Sequence, residues 1–294
     1  MVEQYSKNVH SINLESNGKL AVLSDLHWDN PKCDLELLKS HLDYCLENKI
    51  PVFVNGDFFC LMQGRGDRRS NKSDIRPEHN NAKYLDSVVE TAVEWFSPYA
   101  EILTVLGYGN HETAIIKYQE TDILRRFVDL MNHLNKTNIC TGGYGGWVNI
   151  ISKAKNNKTS KFSSKMKYFH GSGGGGIVTK GAINITRALE MYEGMDIFTL
   201  GHIHENWCRN DVRDSLRYNS GHRRYEQELR EIHSMITGTY KEEYGDGSKG
   251  WHIERGAPPK MVGGRILTIQ LKRRRIDNKE VFCKQIDSTR FPLI

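Results

Sequence analysis

Residues 19–27 read KLAVLSDLH, and this stretch decides the class of fold. Its first part is a short, mainly apolar run, which predicts a buried β-strand. Residues 33–49 follow as CDLELLKSHLDYCLENK, with apolar side chains spaced as on one face of a helix: Leu35, Leu38, Leu42 and Cys45. A strand and then an amphipathic helix are therefore predicted for this part of the chain.

The same alternation recurs further along the chain. The next predicted strands are PVFVN at residues 51–55 and EILTVL at residues 101–106. The next predicted helices are AKYLDSVVETAVEWF at residues 82–96 and TDILRRFVDLMNHL at residues 121–134. Strands that alternate with helices indicate βαβ units and a largely parallel sheet, so the fold class is α/β. Residues 1–18 are interpreted as a polar leader.

The pattern changes beyond Gly142, where strands dominate. The strand-like segments there are GGWVNIIS (145–152), MKYFHG (166–171), DIFTLGH (196–202), LREIHSMITGTY (229–240) and GGRILTIQLKRRR (263–275). One helix, AINITRALEMY, is predicted at residues 182–192, and the polar residues 153–165 are interpreted as a hairpin excursion. We therefore expect a second, mixed sheet in the later part of the chain.

Composition narrows the class of protein. The 294 residues are 38% hydrophobic with a formal net charge of +5, which is typical of a globular protein and too weakly basic to indicate nucleic-acid binding. No apolar run approaches the roughly 20 residues of a membrane helix, so we expect no membrane association. We expect a cytoplasmic location. We expect one domain over residues 1–294, with an inserted basic loop at about 60–80 and a C-terminal strand-rich extension at about 206–294.

Five of the predicted strands end at possible metal ligands. The seven candidates are Asp25, His27, Asp57, Asn110, His170, His202 and His204. Because sites in α/β sheets assemble at the carboxyl ends of strands, we expect these side chains to converge. In an extended segment, residues i and i+2 point the same way, which suits the D-x-H and H-x-H spacings.

The donor set points to two divalent ions. Seven carboxylate, amide and imidazole donors are too many for one tetrahedral ion and suit two ions that share a bridging carboxylate. Such donors favour Mn²⁺ first, with Fe or Zn²⁺ as alternatives, over a soft, thiol-bound metal. Each motif alone is common, whereas the ordered set is selective.

The ordered motifs D-x-H, G-D, G-N-H-E, H and G-H-x-H resemble the signature of the calcineurin-like metallophosphoesterase superfamily. The resemblance implies a four-layer α-β-β-α sandwich of two mixed β-sheets with helices outside. It also implies that one metal is held by Asp25, His27 and His204, and a second by Asn110, His170 and His202, with Asp57 as the bridge.

The resemblance further implies how the reaction proceeds. His111 would face the substrate as general acid or transition-state stabiliser. Glu112 would orient the His111 imidazole; a position at the surface or in a helix cap is an equally favoured interpretation of Glu112. Two dications would lower the pKa of a bridging water, so that hydroxide attacks phosphorus in line. An imidazole with a pKa near 6.5 can then protonate the leaving oxygen.

The segment after Asp57 disfavours one branch of the superfamily. Residues 56–61 read GDFFCL, where protein Ser/Thr phosphatases of this superfamily have x-V-D-R-G after their G-D, so a phosphoprotein phosphatase is disfavoured. The long insertion, the glycine run at residues 171–176 and the tail at residues 238–260 resemble stand-alone members often encoded in phages and prophages. The glycine run could be a flexible or tightly turned loop, or a loop that binds phosphate through its backbone amides. We favour the first interpretation.

Other polar and aromatic segments leave two interpretations open. The basic residues Arg65, Arg68, Arg69, Lys72 and Arg76 could clamp phosphate or form a solvated loop. Four further residues could stack on a base or fill the end of the second sheet: Tyr240, Tyr244, Trp251 and His252. The KRRR run at residues 272–275 could contact a nucleic-acid backbone, although a solvated strand edge is favoured.

These observations give one leading hypothesis and two alternatives. The leading hypothesis is a phosphodiesterase or nuclease that acts on a phosphate ester of a nucleotide or nucleic acid. A small-molecule phosphomonoesterase is the first alternative, and a non-catalytic metallophosphoesterase-like scaffold is the second. The filled ligand positions disfavour the scaffold. The sequence leaves the oligomeric state open.

Overall fold

The computed structural model describes residues 2–15, 18–61, 74–154, 157–245, 247–248, 251–254, 256–276 and 279–292. The α-helices in these ranges are α1 (Leu35–Glu47), α2 (Tyr84–Phe96), α3 (Asn110–Gln119), α4 (Ile123–Asn135), α5 (Ala182–Met191) and α6 (Trp251–Glu254). The first strands are β1 (Val2–Ser6), β2 (Val9–Asn13), β3 (Lys19–Leu23), β4 (Val52–Val54), β5 (Leu103–Leu106), β6 (Cys140–Thr141) and β7 (Gly145–Ala154). The later strands are β8 (Asn157–Phe169), β9 (Ile197–Leu200), β10 (Trp207–Asn219), β11 (Arg224–Ile236), β12 (Arg265–Ile276) and β13 (Lys279–Arg290).

The strands form two sheets. Sheet I has six strands in the order β13-β12-β3-β4-β5-β6, and β3 to β6 are parallel. The helices α1 to α4 connect these parallel strands, which confirms the predicted βαβ units. Sheet II has seven strands in the order β1-β2-β7-β8-β9-β11-β10, with parallel and antiparallel pairs, so the second, mixed sheet is also confirmed.

The two sheets pack face to face around an apolar core. Leu20 and Val22 of β3 belong to this core, together with Ile150 and Met166 of sheet II. The alternate residues of β3 point the other way, and Leu23 packs with helices on the outer face of sheet I. Because both faces of β3 are buried, its sequence is a continuous apolar run instead of an alternating one.

Helices cover the outer face of each sheet. The side chains of α1 to α4 pack on sheet I, as the cluster of Leu42, Val89 and Phe127 with Val54 illustrates. Helix α5 packs on sheet II through a cluster that contains Ile185, Leu189, Phe198 and Ile236. The predicted four-layer α-β-β-α sandwich with helices outside is therefore confirmed.

The interpretation of residues 1–18 as a polar leader is wrong. Strands β1 and β2 form an antiparallel pair, and β2 continues sheet II by pairing in parallel with β7. The buried residues of β2 are His10, Ser11 and Ile12, two of which are polar, so no apolar pattern marks the strand. The hairpin predicted for the polar residues 153–165 is confirmed, since β7 and the following strand β8 form an antiparallel pair along their length.

Three further strands, β6, β10 and β13, and two helices, α3 and α6, escaped prediction. Strands β10 and β13 are the edge strands of their sheets and carry many charged residues, so each has only one strand neighbour and a weak apolar pattern. Helix α3 begins at Asn110 and buries only Glu112 and Ile115, which is too few for a helical pattern. No helix in the described ranges is long and apolar enough to cross a membrane.

Candidate metal centre

The seven predicted ligands lie beyond the carboxyl ends of strands. Asp25 and His27 follow β3, Asp57 follows β4, and Asn110 follows β5 as the first residue of α3. From sheet II, His170 follows β8, and the pair His202 and His204 follows β9. The two sheets therefore present their ligand loops at the same end of the sandwich.

Asp25, His27 and His204 form the first ligand group. Their ligand atoms lie within 4.8 Å of one another, and His204 Nε2 is 3.2 Å from Asp25 Oδ1. His27 is 2% exposed, and neither of its ring nitrogens has a hydrogen-bond partner within the described residues. Because buried polar groups are nearly always paired, this imidazole fits a bound cation that supplies the missing partner.

Asp57, His170 and His202 form the second ligand group. Their ligand atoms also lie within 4.8 Å of one another, and His170 Nε2 is 3.2 Å from Asp57 Oδ2. Asn110 Oδ1 lies 3.3 Å from the same His170 nitrogen, so the amide joins this group. On the far side of the ring, His170 Nδ1 donates to the Asn55 carbonyl at 2.7 Å, which leaves Nε2 for a metal ion.

Electrostatics favour the ionised carboxylates and a neutral His27. Burial opposes the charge on Asp57, but attraction to His170 and His111 holds its pKa well below the usual range. Burial likewise opposes the charge on Asp25, and His204 outweighs it to lower the pKa. Burial holds the pKa of His27 well below its usual value, so the ring is neutral, as a metal ligand must be.

The ligand loops have an unusual backbone conformation. Five of the seven predicted ligands have left-handed φ angles, with 51° at Asp25, 47° at His27, 48° at Asp57, 66° at His202 and 55° at His204. The expectation that D-x-H and H-x-H are extended segments is therefore wrong. His202 and His204 instead point into different ligand groups. Such conformations are costly for residues with a Cβ and persist where the surroundings fix them.

Hydrogen bonds between the loops hold these conformations. The backbone N–H of His202 donates to Asp25 Oδ2 at 2.9 Å, and the N–H of His27 donates to the Asp57 carbonyl at 3.1 Å. Gly109 allows the closest approach, because a Cβ at that position would lie 2.0 Å from Asp57 Oδ1. This contact explains the glycine that precedes Asn110.

His111 faces the two ligand groups. Its ring centroid is 4.8 Å from that of His27, and its Nε2 is 3.9 Å from Asp57 Oδ2. The Nδ1 atom hydrogen-bonds to the Cys60 carbonyl, and the side chain is 10% exposed. The Cys60 side chain also lies within reach of His27 and His111. Sequence reasoning missed this thiol, because no Cys-containing motif marks it.

Glu112 binds backbone amides, and the Cys60 carbonyl is the group that binds the His111 imidazole. The Glu112 carboxylate accepts hydrogen bonds from the N–H groups of Asp57, Phe59 and Gly109 at 3.2, 2.9 and 2.8 Å. Its side chain is buried, so the surface interpretation is wrong. The helix-cap interpretation fits, with the addition that Glu112 also holds the loop after β4.

The segments around the centre differ from the expectations drawn for them. Arg76 is buried, donates to the Asn30 carbonyl and lies 5.1 Å from the Trp28 ring, so it supports the loop after β3. Tyr240 is fully buried against the helices of sheet I, with its hydroxyl 2.8 Å from His41 Nδ1, so it neither stacks on a base nor fills the end of sheet II. The predicted functional residues outside the described residues or side chains are Arg65, Arg68, Arg69, Lys72, Trp251, His252, Arg273, Arg274 and Arg275.

The chain also has a match among protein families. A family model described as calcineurin-like phosphoesterase matches residues 18–206, which is more than half of the chain. No curated protein matches the chain. The matched range contains both ligand groups and His111 and ends before β10. The chain belongs to the calcineurin-like phosphoesterase family.

Proposed function

We propose that the protein is a dinuclear metal-dependent phosphodiesterase that acts on nucleotides or nucleic acid. The observation that carries the proposal is the buried His27 imidazole, whose two ring nitrogens have no hydrogen-bond partner within the described residues although they lie among carboxylate and imidazole donors. A cation bound among these donors would supply the missing partner, because burial without a partner is costly.

The two ligand groups would hold two divalent ions, with Mn²⁺ as the first choice for these donors. One ion would lie between Asp25, His27 and His204, and the other between Asn110, His170 and His202, with Asp57 shared. When bound, such ions supply Lewis-acid chemistry and lower the pKa of water. The chain itself supplies the rigid, left-handed loops that place the donors.

His111 is the proposed proton donor to the leaving oxygen. The hydrogen bond from its Nδ1 to the Cys60 carbonyl fixes the ring, so Nε2 is the nitrogen that faces the ligand groups. A proton held at Nε2 lies beside the second ligand group, where an ester bond would break. The His27 ring, 4.8 Å away, limits the space on the other side of the imidazole.

A diester of a nucleotide or nucleic acid is the proposed substrate because a retained acid, His111, adjoins the ligand groups. The alkoxide that leaves such a diester is strongly basic and needs a proton, which this acid would supply.

The test is a comparison of two chromogenic substrates with the Mn²⁺-loaded protein. We expect bis-p-nitrophenyl phosphate to be hydrolysed with a higher kcat/KM than p-nitrophenyl phosphate. A preference for the monoester would overturn the diester assignment. No hydrolysis of either ester by protein that contains two Mn²⁺ ions would overturn the enzymatic function itself. A panel of single-stranded DNA, duplex DNA, RNA and cyclic dinucleotides would then identify the natural class.

A further inference from the structure

The segment that follows β11 returns to the metal centre, although it lies beyond the range that matches the family. Thr239 Oγ1 and the backbone N–H of Tyr240 both donate to the carbonyl of the predicted ligand Asp25, at 2.8 and 3.0 Å. The N–H of Lys241 donates to Thr239 Oγ1 at 2.9 Å. Lys241 is thus two hydrogen bonds away from a predicted metal ligand.

The other side of this segment is also fixed. The Tyr240 carbonyl accepts from the N–H of Asp34 at 2.8 Å, and the N–H of Glu242 donates to the Lys32 carbonyl at 2.9 Å. Between them, Lys241 forms an antiparallel bridge with Cys33. The backbone of Lys241 is therefore held against residues 32–34 of the loop that joins β3 to α1.

The Lys241 side chain lines the same small cavity as the predicted ligand His204, so it lies beside the first ligand group. It is 11% exposed, with Nζ 2.6 Å from Glu243 Oε1.

The largely buried Lys241 ammonium has Glu243 as its counter-charge in the absence of substrate. The two ligand groups contain two carboxylates, Asp25 and Asp57, which would face two divalent ions. Those ions would repel the ammonium, and an anion bound between them and Nζ would offset the repulsion. A phosphate group is such an anion, and an ammonium is a common point-charge partner for it.

We propose that Lys241 Nζ binds a non-bridging phosphate oxygen of the substrate beside the first ligand group, from the cavity that it shares with His204. This inference rests on the proposed phosphoesterase function and adds a substrate-binding residue from outside the family-matched range. Glu243 holds the ammonium in place when no phosphate is bound. The lysine contributes binding, while the proton for the leaving group comes from His111.

The experiment measures binding of inorganic phosphate to the Mn²⁺-loaded protein by calorimetry, which requires no turnover. For Lys241→Met we expect about a tenfold weaker Kd for phosphate with two Mn²⁺ ions still bound, as for loss of one charge-assisted contact. Lys241→Arg should recover most of the affinity. The control is Lys284→Met, because Lys284 on β13 is also a partly exposed, ion-paired lysine, with Nζ 3.0 Å from Asp196 Oδ2. It should leave the Kd unchanged.

An unchanged phosphate Kd in Lys241→Met, with metal content intact, would overturn the inference. If that variant does not fold, Lys241→Gln is measured in its place and judged by the same Kd. The two proposals fail separately. Wild-type protein that binds phosphate through Lys241 but hydrolyses no ester would end the enzymatic proposal alone. Ester hydrolysis with an unchanged KM and phosphate Kd in the variant would end the Lys241 inference alone.

Discussion

The carboxylate of Glu112 accepts a hydrogen bond from the backbone N–H of Asp57 at 3.2 Å. The same carboxylate binds the amides of Phe59 and Gly109, so it joins the loop after β4 to the start of α3. One loop carries the proposed bridging ligand and the other carries Asn110 and His111. Glu112 is therefore a positioning residue for both halves of the centre.

Removal of the Glu112 carboxylate should destabilise the fold and weaken metal binding. Glu112→Ala leaves three buried amides unpaired, and each costs about 1–3 kcal/mol, so we expect a loss of at least about 3 kcal/mol in the free energy of unfolding. Burial and the charge of Asp57 raise the pKa of Glu112 to about 8, so the neutral Glu112→Gln should be milder. Urea unfolding and metal content are the measurements. Glu120→Ala, at the exposed end of α3, is the control. Wild-type values in Glu112→Ala would contradict the positioning role.

His111 should matter for turnover and not for metal content. His111→Ala leaves both ligand groups complete, and loss of a general acid typically lowers kcat by about 10²- to 10⁴-fold. The loss should be smaller for a p-nitrophenolate leaving group, which needs little protonation, than for the alkoxide of a dinucleotide. Steady-state kinetics on both substrates are the measurement, with the exposed His133→Ala on α4 as control. Equal losses on the two substrates would remove His111 as the proton donor.

The sequence was sufficient to predict the strands that are buried on both faces and the ligands that directly follow strands. The strand at residues 19–23 is apolar on both faces, and the parallel strands β4 and β5 of its sheet show the same run. It was insufficient for β2, where His10 and Ser11 occupy buried positions, and for the charged edge strand β10. Edge and half-polar strands are defined by their neighbours, and a local pattern carries little of that information.

Parts of the site depend on contacts between distant residues. The left-handed backbone of Asp25 is held through His202, which lies 177 residues away, and no spacing rule predicts it. The return of Thr239 to the Asp25 carbonyl spans 214 residues, so Lys241 carries no local signal either. Glu112 was found in its motif, but its partners on the loop after β4 emerge only from the fold.

Removal of metal should lower the thermal stability of the protein. The ligand groups bring buried Asp25 and Asp57 together with left-handed loops, and cations relieve the repulsion between the carboxylates. At metal concentrations about 100-fold above Kd, binding contributes about 2.7 kcal/mol. We therefore expect the Tm to fall by at least about 5 °C after chelation and to recover with Mn²⁺. Asp57→Asn should show little response to Mn²⁺. A Tm that is the same with chelator and with Mn²⁺ would contradict metal binding by these groups.

A buried histidine connects the two sheets far along the chain from the ligand motifs. His233 of β11 lies between Asn210 of β10 and Ser288 of β13, with Nδ1 2.6 Å from the Asn210 Oδ1 and Nε2 2.8 Å from the Ser288 Oγ. Burial lowers the pKa of His233 to about 4; the charge of Asp287 opposes this lowering, and the charge of Arg265 adds to it. The folded protein therefore keeps this ring neutral at mildly acidic pH.

Stability should consequently fall as the pH is lowered from about 6.5 to about 4. In that interval the unfolded chain binds a proton at His233 and the folded chain does not, so protons favour unfolding. His41, whose pKa burial also lowers to about 4, contributes in the same direction. Replacement of His233 by Gln keeps a polar group between the sheets but removes the titration, so the variant should lose less stability over this interval than wild type. Urea unfolding of chelated protein at several pH values measures the difference, with the exposed His133→Gln as control. If the free energy of unfolding depends on pH in the same way in wild type and in His233→Gln, the His233 ring is protonated equally in the folded and unfolded states. That result would contradict the prediction.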